Sequence, residues 1–233
     1  MSDLDEPRGL PRLRWWIIAG VTALVVVALI VVAILGRDDS GTSPRTDVPA
    51  TSESICGLPD GENDLLEEPP PVEWKVEARA VVPVSKSAGP GASDSGVHYC
   101  FAHSTSGAVL AAVYAALDGS SQSADPVKLV ERRMSKNSAG FDAALASAKK
   151  GAGASTSGGL DLAGYRVDAL SSDRATITVA FRVTSEPPAN SLIAASVPLV
   201  WEAGDWLIET PDPDGLNVAA LGNLNGFVEW SGV

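Results

Sequence analysis

From Trp15 to Leu35 the chain carries 21 consecutive residues without a charge, built from Trp, Ile, Val, Leu and Ala with one Gly and one Thr. As a helix rising about 1.5 Å per residue, the run is roughly 31 Å long, which matches the hydrocarbon layer of a bilayer. No other stretch of the sequence is long and apolar enough to cross. Arg8, Arg12 and Arg14 crowd its leading edge and only Arg37 and Arg45 follow closely. The positive-inside bias therefore predicts that residues 1–14 stay in the cytoplasm and that everything after Leu35 lies outside. Trp15 and Trp16 stand where an interfacial aromatic belt anchors the inner end, and Arg37-Asp38-Asp39-Ser40 stops the span. The competing reading is a cleaved secretory signal. Such a signal has a shorter apolar core and small residues at the cut, and Ala33-Ile34-Leu35-Gly36 offers no small-x-small site, so an uncleaved anchor is expected.

Setting aside the span and a proline-rich linker leaves about 160 residues, enough for one domain with a real core. The formal charge of -12 argues against direct binding to nucleic acid, because a surface that displaces counterions from phosphates has to be basic. The two cysteines, Cys56 and Cys100, both fall on the expected outer side, where an oxidising setting lets a disulfide form and persist. Two buried free thiols are the other reading.

Residues 36–70 are rich in Asp, Ser, Gly, Thr and Pro, show no apolar period, and read as a linker. Cys56 is expected to tie this incoming chain to the domain at Cys100. Its acidic residues Glu62, Asp64, Glu67 and Glu68 read as solvated charges rather than a cation site. Trp74, Val76, Ala78 and Ala80 alternate with charged residues, which predicts one short half-buried strand ending near Pro83. Ser104, Thr105 or Ser106 can cap a following helix in which Val109, Val113 and Leu117 form one stripe and Leu110 and Tyr114 a second. Being almost wholly apolar, that helix is expected to lie in the concavity of a sheet. Asp125-Pro126 starts another helix, with Leu129, Val130 and Met134 inward, and a third piece around Phe141, Leu145 and Ala148 ends at Lys149-Lys150-Gly151. Gly151 to Gly159 reads as a flexible loop.

Strands follow. Tyr165, Val167 and Ala169 alternate with polar residues, Ser171-Ser172-Asp173 turns, and Ala175, Ile177, Val179, Phe181 and Val183 alternate again. A third strand runs from about Leu192 to Trp201, with Pro198 marking an edge or bulge, and Glu202-Ala203-Gly204-Asp205 returns it into Trp206-Leu207-Ile208. Helices followed by an antiparallel meander predict an α+β domain over residues 71–210, with 211–233 as a mildly apolar tail whose Phe227 and Trp230 pack back or meet a partner.

The stretch from Val197 to Ile208, with its Trp201-Glu202-Ala203-Gly204-Asp205-Trp206 return, resembles the last hairpin of membrane-anchored proteins of actinobacterial conjugative elements. So do Cys100-Phe101-Ala102-His103 followed by Gly107-Ala108-Val109-Leu110-Ala111-Ala112, and the ending Gly226-Phe227-Val228-Glu229-Trp230. Those proteins are similar to the bitopic assembly-factor subunit of type IV secretion systems. The resemblance implies an outer domain with the nuclear-transport-factor-2-like cone, in which helices pack against a curved antiparallel sheet, and a role in DNA transfer. The glycine-rich insertion before Leu160 departs from that pattern.

The usual catalytic signatures are missing from the sequence: it has no Gly-x-Ser-x-Gly elbow, Walker loop, dinucleotide fingerprint or His-Glu-x-x-His pair. His98, Cys100 and His103 have a spacing that could ligate a soft metal, but zinc wants three or four ligands and Cys100 has a disulfide partner at hand. Asp212-x-Asp214-Gly215 opens like a calcium loop without the closing Glu, and reads as a turn. Tyr114, Tyr165 or Asp168 could serve a pocket enzyme on such a cone, yet no base-and-orienter set is marked out. Trp201 and Trp206 read as packing across their hairpin rather than as binding anchors. No cofactor is expected. The expectation is a non-catalytic, single-pass membrane protein whose outer domain is a scaffold or assembly subunit of a conjugation or secretion apparatus. Its expected partners are other subunits, with self-association as a further option. The alternative is an anchored binding protein holding an apolar small molecule. Leu110 and Tyr114 should plug the concavity in the first case and leave an open apolar pocket in the second.

Overall fold

A computed structural model describes residues 54–77, 80–151, 159–184, 191–209 and 216–232. The chain divides into two units, Met1–Asp47 and Val48–Val233, and every described residue belongs to the second. Trp15, Trp16 and Leu35, with the whole expected span, lie outside the described residues. Among those described, no helix is long and apolar enough to cross a membrane.

Alternation of apolar and polar residues produces strands where the sequence shows it, with β5 at Leu160–Leu170, β6 at Arg174–Val183, β7 at Ser191–Glu202 and β8 at Asp205–Ile208. They form the expected antiparallel meander, each strand hydrogen-bonded to the next. Ala203 and Gly204 both take positive φ, as a two-residue hairpin turn between right-twisted strands requires. The alternation breaks in β5, where register shifts at Leu162/Gly164 and Val167/Ala169 turn Ala169 to solvent although it was expected to share a face with Tyr165.

β7 is long enough to carry two partners along one side. β8 pairs with Leu199–Glu202, and β9, at Asn217–Leu221, pairs with Leu192–Ser196. Pro198 sits in the gap between them, its carbonyl accepting from the Glu209 N–H and its missing donor costing no ladder bond. On the opposite edge β10, at Val228–Glu229, pairs with Gly164 and Tyr165 of β5. The residues expected to form a tail after 210 are thus two strands of the same sheet. Chain read as linker is likewise docked from Ser54 on, with Ile55 N–H bonded to the Gly204 carbonyl and Thr105 N–H to the Glu62 carbonyl.

Helix α1, Thr105–Ser120, fills the face of this sheet. Ser104 caps it by accepting from the Gly107 N–H, and its Val109, Leu110, Val113 and Tyr114 are completely buried against β5, β6, β7 and β8. Helix α2, Pro126–Arg133, starts at Asp125, whose carboxylate accepts from Val127 and Lys128 N–H. Val130 and Met134 turn inward and Leu129 is half-buried. Helix α3, Phe141–Lys149, ends with Gly151 in the left-handed region.

The first strand also differs from expectation. The alternation around Trp74 belongs to a separate two-stranded hairpin, β1 at Glu73–Glu77 and β2 at Ala80–Val84, in which Glu77 already faces Ala80 and Pro83 lies opposite Trp74 inside the second strand. A period of two runs through a hairpin as readily as through one strand, so the pattern could not mark the reversal. Trp74 packs edge-on against Trp230, while Val76, expected on the buried face, is 77% exposed. A second small hairpin, β3 at Ala92–Asp94 and β4 at Val97–Tyr99, leads into Cys100.

Candidate functional site

Cys56 and Cys100 are joined in a disulfide, which fixes the incoming chain where β4 ends. Cys100 has φ of 71°, and this bend presents two successive backbone N–H groups to one buried carboxylate. Asp205 accepts from Cys100 N–H at 2.6 Å, from Phe101 N–H at 2.8 Å and from Trp206 N–H at 2.9 Å. Burial pushes its carboxyl above the usual range, against the pull of Arg133 and those three donors.

Arg133, the last residue of α2, is fully buried. Its guanidinium donates to the His98 carbonyl at 2.7 Å and the Ala111 carbonyl at 2.8 Å, and stacks 4.8 Å above the Phe101 ring. Desolvation draws its pKa down, with Asp205 and Asp118 acting to restore it. These contacts tie α2 to β4 and α1.

His98 completes the cluster. Its backbone N–H donates to Asp118 Oδ2 at 2.7 Å, its ring Nδ1 lies 2.8 Å from Asp118 Oδ1, and its Nε2 lies 3.0 Å from Glu77 Oε2. Carboxylates only accept, so the imidazolium satisfies both ring contacts and a neutral ring satisfies one. Burial alone would lower the His98 pKa, but the hydrogen bonds and charges of Asp118 and Glu77 outweigh it and the net shift is upward. Tyr114, its ring 4.6 Å away, is held protonated by burial and then by the same two carboxylates. The arrangement can hold a proton between β1 and α1 and release it as pH rises.

The other sequence candidates are dispersed. His103 stacks on Trp201 at 4.2 Å, and its Nε2 lies 2.7 Å from the Ser172 carbonyl, so it faces away from the His98 partners. With Cys100 in the disulfide, the three residues considered as metal ligands share no centre, and no metal-binding group occurs among the described residues. Trp206 is buried, with its indole N–H on the Ala102 carbonyl and Trp201 edge-on beside it, which is packing across the hairpin as expected. Tyr114 donates to the Pro83 carbonyl and Tyr165 to the Glu68 carbonyl, the latter phenol pushed up to about 12 by burial. Asp168 accepts from Arg166 and Thr178. Asp212 and Asp214 lie outside the described residues.

Of the two aromatics considered for a partner, Phe227 is half-buried under the Arg166 guanidinium. Trp230 is turned into the core between Trp74 and Tyr165, the packing-back alternative of the two expected for it rather than a partner contact. Sequence reasoning missed Asp118, Arg133 and Asp205 altogether, because local pattern marks a charge as exposed unless its distant partners are known.

A family model described as a domain of unknown function, DUF8175, matches residues 37–229. The chain belongs to that family. The DUF8175 stretch takes in both cysteines, His98, Arg133, Asp205 and the whole described sheet, and begins two residues after the apolar run. Neither the curated proteins nor the solved structures searched contain a match to the chain.

Proposed function

We propose that this protein is a single-pass membrane scaffold of a conjugation or secretion apparatus, with its DUF8175 domain outside the cell membrane in a nuclear-transport-factor-2-like arrangement, acting through protein contacts and without catalysis. The apolar run Trp15–Leu35 is its anchor, with residues 1–14 in the cytoplasm. The observation that carries the reading is the filling of the sheet's helical face. Leu110 and Tyr114, the side chains that a ligand would have to displace, are completely buried, and the Tyr114 hydroxyl is committed to the Pro83 carbonyl. A receptor for an apolar molecule needs that volume open and lined by a few convergent polar groups. Here the Asp118 carboxylate is engaged with His98, and the two terminal guanidinium nitrogens of Arg133 with the His98 and Ala111 carbonyls.

The test is crosslinking and affinity isolation of the full-length protein from its native membrane, beside a truncation that keeps only the anchor. Recovery of a secretion or conjugation ATPase and channel proteins that depends on residues after Leu35 supports the scaffold. Co-purification of a lipid or metabolite without specific proteins overturns it in favour of the binding-protein reading.

A further inference from the structure

Both edges of the large sheet end in strands from the last part of the chain, but the two are built differently. β10 is two residues long and presents the charged Glu229, devices that blunt an edge against further pairing. β9 runs for five residues, Asn217-Val218-Ala219-Ala220-Leu221, with no Lys, Pro, bulge or charge. Asn217 to Ala220 are all exposed, Val218 at 56%. The direction of its unpaired groups follows from β7. The Pro198 carbonyl points to the β8–β9 side, so by alternation Ser196, Ala194 and Leu192 point there too and bond Asn217, Ala219 and Leu221. The N–H and C=O groups of Val218 and Ala220 therefore face outward, and among the described residues no backbone group meets them.

We infer that β9 pairs antiparallel with β9 of a second copy of this chain, joining the two sheets about a twofold axis at Ala219. That axis sets Val218 opposite Ala220 of the copy and Ala220 opposite its Val218, so all four outward-facing residues meet as hydrogen-bonded pairs and form four backbone bonds. The lack of charge along this edge admits a second copy. Each copy carries a formal -12, yet residues 216–228, Leu216 to Val228, contain no charge, so this edge brings two acidic copies together without opposing like charges. The small side chain of Ala219, which stands opposite itself, allows the close approach of about 4.5 Å that a non-hydrogen-bonded pair needs. The inference rests on the contact-based reading above and names one of its contacts.

Two variants of the full-length protein test it. Ala219→Cys puts a thiol on the axis, at a spacing that a disulfide spans, and the native cysteines are already paired. Mild oxidation in the native membrane is expected to give a band of twice the chain mass. Val218→Pro removes an outward N–H while leaving every bond to β7. In detergent, light scattering is expected to show two chains for the unmodified protein and one for this variant, with the circular dichroism spectrum unchanged. A single chain for the unmodified protein, a dimer that survives Val218→Pro, or an Ala219→Cys adduct of unequal mass each overturns the inference. Affinity isolation scores other proteins whereas these experiments read the chain against itself, so either proposal can fail alone.

Discussion

Asp118 holds His98 twice, accepting the backbone N–H on Oδ2 and facing ring Nδ1 from Oδ1. With Glu77 on the other nitrogen, the folded protein favours the imidazolium, so the His98 pKa lies above its unfolded value. The sign is that of a raised histidine. The stabilisation is fully present below about pH 6.5, the unfolded value, and is lost as pH rises through the folded one. Denaturation of the wild type is expected to show this loss, and Asp118→Asn, which keeps the side chain's shape and removes its charge, to flatten it. With only two histidines in the chain, proton NMR with a His103 variant assigns the titration directly. A His98 signal that titrates below the unfolded value would refute the assignment.

Arg133 gathers β4, α1 and α2 onto one group. Arg133→Met fills the space but leaves the His98 and Ala111 carbonyls without donors, and is expected to cost about 3 kcal/mol in urea denaturation. Arg133→Lys keeps the charge but cannot span both acceptors, and should fall between the two. A loss below about 0.5 kcal/mol for Arg133→Met would mean that the carbonyls find other partners.

How much of this was legible follows from how local each signal is. Ser104, the stripes through Val109 and Leu110, and Asp125-Pro126 lie within a turn or two of the helices they specify, and those helices appear where the spacing puts them. The meander was equally plain in the alternation from Ala175 to Phe181. The cluster was not, because Asp205 bonds Cys100 across 105 residues and Arg133 bonds His98 across 35, and nothing near either charge announces burial. β10 escaped for a different reason, since two residues have no period. The bulges in β5 likewise leave the composition of the strand intact while changing which residues face the core.

The disulfide closes a span of 44 residues. On chain-entropy grounds its reduction should lower stability by about 4 kcal/mol. The comparison is denaturation of the full-length protein with and without reductant, with alkylation counting the thiols released. An unchanged midpoint with both thiols alkylated would show that the docking of Ser54 to Glu68, through bonds such as Ile55 N–H to Gly204 and Tyr165 to Glu68, already fixes the incoming chain without a covalent tie.

Trp230 and Phe227 stand three residues apart at the end of the chain and should respond differently to truncation. Trp230 is 6% exposed, edge-on to both Trp74 and Tyr165 at 5.7 Å, and its backbone N–H bonds the Ala163 carbonyl. Trp230→Ala opens a cavity between the small hairpin and β5 and is expected to cost about 3–5 kcal/mol. Phe227 is only half-buried and its named contact is a cation–π contact with Arg166, so Phe227→Ala is expected to cost less, about 1 kcal/mol. Chemical denaturation of both variants decides the matter. Equal small losses would mean that residues after Asn217 sit on the domain as an appendage, and a large loss confined to Trp230 that the last strands are part of its core.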